Sequence, residues 1–255
     1  MKKTLGVAFA FLIVFLAACG SNDTSTNVSE GDQENAENET VNNEDKSSAG
    51  IQETKKEKEN KQKEYDQKTG EGYVEGLGYV KTLGVGYSDE VGIDGTDSPL
   101  KPLEFGSMEL TINHMEIAEI QPNADNEVLF DGRDKAKVII VDMKAENKSD
   151  EDIEFYPDGS ILVTDTGLQL EDSDVFLGEE VGGEFYGKVK KEGMATWILD
   201  DDVEKINSVK MIIDPAWNMD QSIEEPQIGE EKRIEFDILN QKDAYKKDKK
   251  GGMEQ

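Results

Sequence analysis

Residues 20–72 hold almost no side chain that is large and apolar enough to enter a hydrophobic core. The exceptions are Val28, Val41, Ile51 and Tyr65, and most of the other residues are small or polar. A segment of this composition cannot bury enough apolar surface to offset the conformational entropy that ordering would cost. We therefore predict a disordered, polar and acidic tether over residues 19–72, so a stable fold must be built from later residues.

Residues 103–240 form a series of short apolar runs separated by turn residues. Met108, Leu110 and Ile112 alternate with polar residues, which is typical of a half-buried strand. The run 136–145 carries apolar residues on both faces and is predicted to be a central strand. About seven such strands predict an all-β fold, an immunoglobulin-like β-sandwich over residues 103–240. The other predicted strands are 161–164, 168–170, 194–199, 209–213 and 233–239.

Two segments flank the predicted sandwich. The connector 73–102 overlaps two six-residue copies, Gly72–Leu77 and Gly78–Leu83, which are too few for a solenoid. Because glycine interrupts regular structure, we interpret these residues as a strand or connector that packs loosely on the domain. The alternative is an aromatic contact strip for another envelope component. The tail 241–255 is basic and poor in apolar residues, which predicts disorder.

Residues 1–18 have the organisation of a secretory signal peptide. Lys2 and Lys3 form a basic end, an apolar stretch runs from Leu5 to Phe15, and small residues follow. The apolar stretch has about 11 residues, whereas a helix needs roughly 20 to cross a bilayer. The stretch is therefore predicted to direct export and not to remain as a transmembrane helix.

The residues Leu16, Ala17, Ala18 and Cys19 resemble the lipobox of bacterial prolipoproteins. The resemblance implies transfer of diacylglycerol to the Cys19 sulfur, cleavage just before it, and attachment to membrane lipid at the extracytoplasmic face of the cell membrane. Cys19 is the single cysteine, which excludes an internal disulfide and a thiolate metal cluster. The alternative is an ordinary secretory signal with an incidental cysteine.

The charge of the chain limits its possible partners. The sequence holds 57 acidic residues against 28 lysines and arginines, for a formal net charge of −29. Such a surface repels phosphate backbones, so we predict no nucleic-acid partner. The same charge favours solubility and association with cations.

A recurring order of strand and turn residues runs through the predicted domain: a strand ending near Asn147, an Asp165-Thr166-Gly167 turn, and a glycine-led strand with Trp197. This order resembles the telokin-like, immunoglobulin-fold domain that is common in lipoproteins and secreted proteins of Gram-positive bacteria. The resemblance implies the fold and the setting but no active site, because the family has no assigned function. The stretch 176–191 departs from the pattern, so its strand order stays open.

His114 is the single histidine, which excludes a multi-histidine metal centre. It follows the apolar face of its strand at a point where the phase shifts to Met115 and Ile117, and this shift predicts a β-bulge. We interpret His114 as structural. The chain has no nucleophile-elbow motif, so no catalytic residue is assigned.

Acidic residues cluster on predicted loops, and we interpret them as a solvated surface. Asp214, Asn218, Asp220 and Glu225 fall at positions 1, 5, 7 and 12 of a loop, but two other positions break the EF-hand pattern. We predict no metal and no cofactor. Calcium binding and an acid-rich hydrolase remain alternatives. The clusters are Asp150, Glu151, Asp152 and Glu154; Asp172, Asp174, Glu179 and Glu180; and Asp200, Asp201, Asp202 and Glu204.

Most aromatic residues of the domain are expected to pack in the core or at its rim. Trp217 lies in a loop-like stretch and is the best candidate for an exposed contact residue. The sequence therefore predicts a lipid-anchored, non-catalytic binding module whose partner is an unidentified protein or envelope component. The other aromatic candidates are Tyr156, Phe176, Phe185, Tyr186 and Trp197.

Overall fold

The structure is a computed structural model that describes residues 63–130, 132–171, 173, 175–177, 180–200 and 202–252. These residues are predominantly β, with one α-helix, α1, at Gln241–Gly251. The strands are β1 Glu71–Val74, β2 Gly78–Tyr87, β3 Leu103–Phe105, β4 Met108–Pro122, β5 Ala136–Asn147, β6 Asp152–Phe155, β7 Ile161–Thr164, β8 Gln169–Leu170, β9 Val175–Leu177, β10 Gly183–Tyr186, β11 Lys190–Leu199, β12 Ser208–Ile213, β13 Ala216–Asn218, β14 Gln227–Ile228 and β15 Lys232–Leu239.

Within the described residues, the strands form one antiparallel sheet of eleven strands and one of four. The large sheet has the order β8-β7-β12-β15-β2-β4-β5-β11-β9, with β1 on β2 and β3 on β4; the small sheet has the order β10-β6-β13-β14. The prediction of an all-β fold is confirmed. The stretch whose strand order was open contributes β9 to the large sheet and β10 to the small one.

Both local features that the sequence predicts, a turn at residues 165–167 and a β-bulge near His114, are present in the structure. Strands β7 and β8 form a hairpin around the predicted Asp165-Thr166-Gly167 turn, and Gly167 in this turn has φ 87°, a conformation that glycine adopts without steric cost. The register between β4 and β5 shifts between Ile112 and His114, which is the predicted bulge. Turn chemistry and phase shifts were thus sufficient to place both features.

The first half of strand β5 buries both of its faces, as its continuous apolar run predicts. Ile139 and Val141 belong to the main core, whereas Val138 and Ile140 belong to a second apolar cluster on the opposite face of the large sheet. The small sheet closes the main core with its own apolar residues, Ile153, Phe155, Phe185 and Ala216. One core therefore lies between the two sheets, and the other face of the small sheet is left to solvent.

The predicted connector contains a central strand of the large sheet, which corrects the interpretation as a loosely packed segment. Strand β2 lies between β4 and β15 and pairs with both. Its glycines make this position possible, because a Cβ at Gly84 would come within 2.5 Å of Ile238 and one at Gly86 within 3.0 Å of Met115. Glycine here is a packing requirement and not a signal of loose structure.

The predicted tether extends too far toward the C-terminus. Glu64 and Asp66 form β-bridges with Tyr73 and Glu71, so residues 63–72 already belong to the folded unit. Tyr65 packs against the second apolar cluster. The backbone pairing with β1 supplies the hydrogen bonds that a polar composition alone does not predict. The signal peptide and residues 19–62 of the tether lie outside the described residues.

The tail also differs from the prediction, because residues 241–251 form helix α1. The Asn240 side chain caps the helix by accepting a hydrogen bond from the Asp243 backbone N–H at 3.1 Å. Lys249 and Lys250 lie in its last turn, where positive charge is favourable. The helix is tied to the large sheet, since the Tyr87 hydroxyl donates to Asp248 at 2.9 Å. No helix in the described part of the chain has the length and hydrophobicity of a membrane span.

Candidate functional site

Three large aromatic side chains are exposed together on the outer face of the small sheet. The exposed fractions are 53% for Tyr156, 61% for Tyr186 and 45% for Trp217. Tyr186 and Trp217 alternate along their strands with Phe185 and Ala216, which are buried in the core. Tyr156 directly follows β6, and its hydroxyl reaches Glu154 on the same face. We call the surface formed by Tyr156, Tyr186, Trp217, Glu154 and Glu184 the aromatic face.

A row of residues across three strands organises this surface. Trp217 on β13 lies opposite Glu154 on β6, and Glu154 lies opposite Glu184 on β10. Residues that face each other in antiparallel strands have Cα atoms about 4.5–5.5 Å apart. The row therefore places an indole ring beside two neighbouring carboxylates on a face that is open to solvent.

The two glutamates are held by the tyrosines of the same face. The Tyr156 hydroxyl donates to Glu154 Oε1 at 2.8 Å, and the Tyr186 hydroxyl donates to Glu184 Oε2. These hydrogen bonds, followed by partial burial and then by the charge of nearby carboxylates, raise the pKa of both tyrosine hydroxyls. The hydroxyls thus stay protonated at neutral pH and fix the carboxylates within the aromatic face.

Polar groups of the loop considered for calcium already form hydrogen bonds with other groups of the protein. The Asn218 side chain donates to Glu151 at 3.0 Å, and Asp220 accepts a hydrogen bond from the Ser222 backbone N–H at 2.9 Å. The described residues contain no group of three or more His, Cys, Asp or Glu arranged to hold a metal ion. Asp172, Asp174, Glu179 and Asp201 of the acidic clusters lie outside those residues.

His114 lies in a separate polar cluster on the opposite side of the large sheet from the main core. Its Nε2 is 3.8 Å from Glu116 Oε2, which also accepts a hydrogen bond from Thr82 at 3.1 Å. Tyr65 contacts the Thr82 hydroxyl at 2.6 Å. Asp142, the β5 neighbour of His114, accepts from Asn113 at 3.0 Å. The cluster links β2, β4 and β5.

The carboxylates around His114 change its protonation. Burial opposes the charged imidazole, but the close Glu116 carboxylate and the charges of Asp142 and Asp248 outweigh it and raise the pKa of His114. The pKa of Asp142 is also raised, mainly by burial, against the hydrogen bond from Asn113 and the charge of His114. Both shifts favour protonation of the cluster in the folded state.

Stability should therefore fall as pH rises through the folded-state pKa of His114. A group whose pKa is raised on folding stabilises the protein below its unfolded pKa, and that contribution is lost above the folded value. Because 37% of the His114 side chain is exposed, we expect no more than about 1 kcal/mol from its ion pair. Urea unfolding of the wild type and His114→Gln at pH 5 and pH 9 measures this, and a stability difference that is equal at both pH values would contradict it.

The sequence singled out Trp217, and the structure exposes its ring, although on strand β13 and not on a loop. Phe185 and Trp197 are buried, as expected for most of the aromatic residues, and the side chain of Phe176 is not described. Sequence reasoning missed the residues that lie beside Trp217, because Glu154 and Glu184 are placed near it only by the register between strands. Cys19 and the box Leu16, Ala17 and Ala18 lie outside the described residues.

The chain is similar to proteins that are described as uncharacterized or functionally unknown. It is 30% identical over 84 residues to the SPbeta prophage-derived uncharacterized lipoprotein YonS of Bacillus subtilis (strain 168), which is 32% of this chain and 41% of YonS. The chain thus spans about two fifths of the length of that curated relative. The relative's description as a lipoprotein agrees with the class predicted from residues 16–19.

A solved structure of a functionally unknown protein from Listeria monocytogenes EGD-e is also similar, with a TM-score of 0.43 and 17% identity over 63% of this chain and 88% of that one. A family model described as a domain of unknown function, DUF5068, matches residues 96–239, which include most of the described strands and the whole aromatic face. By that match, this chain belongs to the DUF5068 family.

Proposed function

We propose that the protein is a lipoprotein anchored at the extracytoplasmic face of the cell membrane through lipid on Cys19, and that its β domain is a non-catalytic binding module for a protein of the envelope. The anchor is supported by the residues Leu16 to Cys19 and by the similarity to a Bacillus subtilis lipoprotein. Membrane lipid is then the first partner, and it holds the β domain close to the surface of the cell.

The observation that carries the binding role is the exposure of three aromatic rings on one sheet face. Single exposed apolar residues are ordinary, but a group of them marks a contact surface, because water contact with large apolar area is unfavourable. Tyrosine and tryptophan are also the residues that most often dominate binding energy at interfaces. Tyr156, Tyr186 and Trp217 thus form the proposed contact site.

The geometry favours binding over catalysis. Hydrolysis by two carboxylates requires a cleft that positions the substrate and the attacking water between the two groups. Glu154 and Glu184 stand beside rings that are about half exposed, so they face open solvent. The layered arrangement, in which both sheets contribute to one core, supports the immunoglobulin-like, telokin-like sandwich as the scaffold of this module.

Site-specific crosslinking in cells tests the proposal. A photoreactive benzoylphenylalanine replaces Tyr186 or Trp217 in the full-length protein, and after irradiation the crosslinked products are identified by mass spectrometry. We expect one defined envelope protein to be captured from both positions, because the two side chains share one face.

The matched control places the same photoreactive residue at Val128, which is 78% exposed and does not belong to the small sheet. A crosslinked protein obtained from Tyr186 and Trp217 but not from Val128 cannot be explained by solvent exposure of the photoreactive residue alone. Capture of the same protein from Val128, or no defined product from either aromatic position, would rule out the aromatic face as the contact site.

A further inference from the structure

We infer that the partner presents a lysine- or arginine-rich segment to the aromatic face, with a cationic side chain over the Trp217 ring and beside the carboxylates of Glu154 and Glu184. This inference rests on the proposed function and names the chemistry of its partner. It follows from the arrangement of charge on the face, which the binding role by itself does not require.

The two glutamates are arranged in a way that costs stability unless a cation is bound. Like charges directly opposite each other on neighbouring strands are destabilising, and Glu154 and Glu184 occupy such positions. Among the described residues, the lysines and arginines that form ion pairs pair with other carboxylates. Each glutamate is instead held by a tyrosine hydroxyl, which is neutral. The pair therefore presents two negative charges to whatever approaches the face.

The ring of Trp217 adds a second attraction for the same ligand. The face of an indole attracts a lysine or arginine cation more strongly than those of the other aromatic side chains do. Trp217 lies directly opposite Glu154, so one basic side chain can contact the ring and the carboxylate together. The apolar stem of lysine or arginine covers exposed ring area while its charged end reaches the carboxylates.

The overall charge of the protein favours the same partner. A formal net charge of −29 attracts basic segments over a distance and speeds their encounter with the surface. Long-range attraction is not specific, because it acts on every part of an acidic surface. The specific contribution comes from the aromatic face, and the experiment has to separate the two.

The experiment measures binding of a fluorescent ten-residue lysine peptide to the full-length protein in detergent micelles at physiological salt. A glycine-serine peptide of equal length and a neutral tetrasaccharide of N-acetylglucosamine serve as uncharged probes. We expect saturable binding of the lysine peptide alone, with an affinity that falls as salt rises because salt screens the ion pairs.

Variants separate the aromatic face from the general charge. We expect at least a tenfold loss of peptide affinity for Trp217→Ala and for the double variant Glu154→Gln/Glu184→Gln. The matched control, Glu104→Gln/Glu235→Gln, removes the same charge from exposed strand positions elsewhere and should lose no more than twofold. Circular dichroism confirms that each variant is folded.

Three results would overturn the inference. Equal losses for the face and control double variants would assign peptide binding to general charge. Binding of the neutral tetrasaccharide that depends on Trp217 but not on the glutamates would identify a glycan platform instead. The crosslinking experiment separates this inference from the proposed function. If the protein captured from position 217 is captured equally well in the Glu154→Gln/Glu184→Gln variant, this inference is wrong and the proposed function stands. If no crosslink forms at all, the proposed function itself is contradicted.

Discussion

Replacing Trp197 by alanine is expected to lower the free energy of unfolding by about 3–5 kcal/mol, the range for truncation of a large aromatic residue in a core. Trp197 is fully buried, lies opposite Ile139 on the central strand β5, and contributes to the core between the two sheets. Its removal leaves a cavity that rigid sheets cannot close. Urea unfolding followed by far-UV circular dichroism measures the loss without relying on tryptophan fluorescence.

The variant Trp197→Phe is the control for volume. In the wild type, Trp197 Nε1 has no hydrogen-bond acceptor among the described residues, so the protein already carries the cost of an unpaired buried N–H group. Phenylalanine removes that group and leaves a smaller cavity, and we expect a loss of about 1 kcal/mol or less. A Trp197→Phe variant as unstable as Trp197→Ala would show that the indole is held by an interaction other than packing.

Replacing Cys19 by serine is expected to abolish lipid attachment completely, because a hydroxyl does not substitute for the thiol in this modification and the chain has no second cysteine. Stable anchoring requires two acyl chains or an equivalent second signal, so a protein without them should leave the membrane fraction. Metabolic labelling with a radioactive fatty acid and membrane fractionation measure the two effects separately.

Ser25→Ala, in the same polar segment, is the control and should be labelled and anchored like the wild type. Lipid-labelled Cys19→Ser protein in the membrane fraction would contradict the anchor. A wild-type protein that is processed but carries no label would instead favour an ordinary secretory signal.

The sequence predicted the parts of the fold that depend on local alternation. Strands β4, β5, β12 and β15 lie where apolar residues alternate or run together, because a strand that covers a core must place such residues on the core side. The same reasoning failed for β2. Its glycines indicate a loosely packed strand or connector, and only the side chains of Ile238 and Met115, which are distant in sequence but lie on the neighbouring strands, explain them.

The candidate site shows the same limit. The tryptophan could be singled out because Trp217 follows an Asp-Pro pair in a polar stretch. Its relation to Glu154 and Glu184 could not, because each residue lies on a different strand and the register between strands is set by the whole small sheet. Helix α1 was missed for a related reason, since its cap at Asn240 and its contact with Tyr87 stabilise a segment that has little apolar surface of its own.

The position of β2 between β4 and β15 determines how late in synthesis the large sheet can be completed. Val85 lies opposite Leu239, so an early strand of the large sheet pairs with the last one. Contacts between residues this far apart in sequence form slowly, because the intervening chain must first be brought together. A chain that emerges N-terminus first cannot complete this sheet until nearly all of its described residues have emerged. The large sheet therefore stays incomplete until β15 has emerged and can pair with β2.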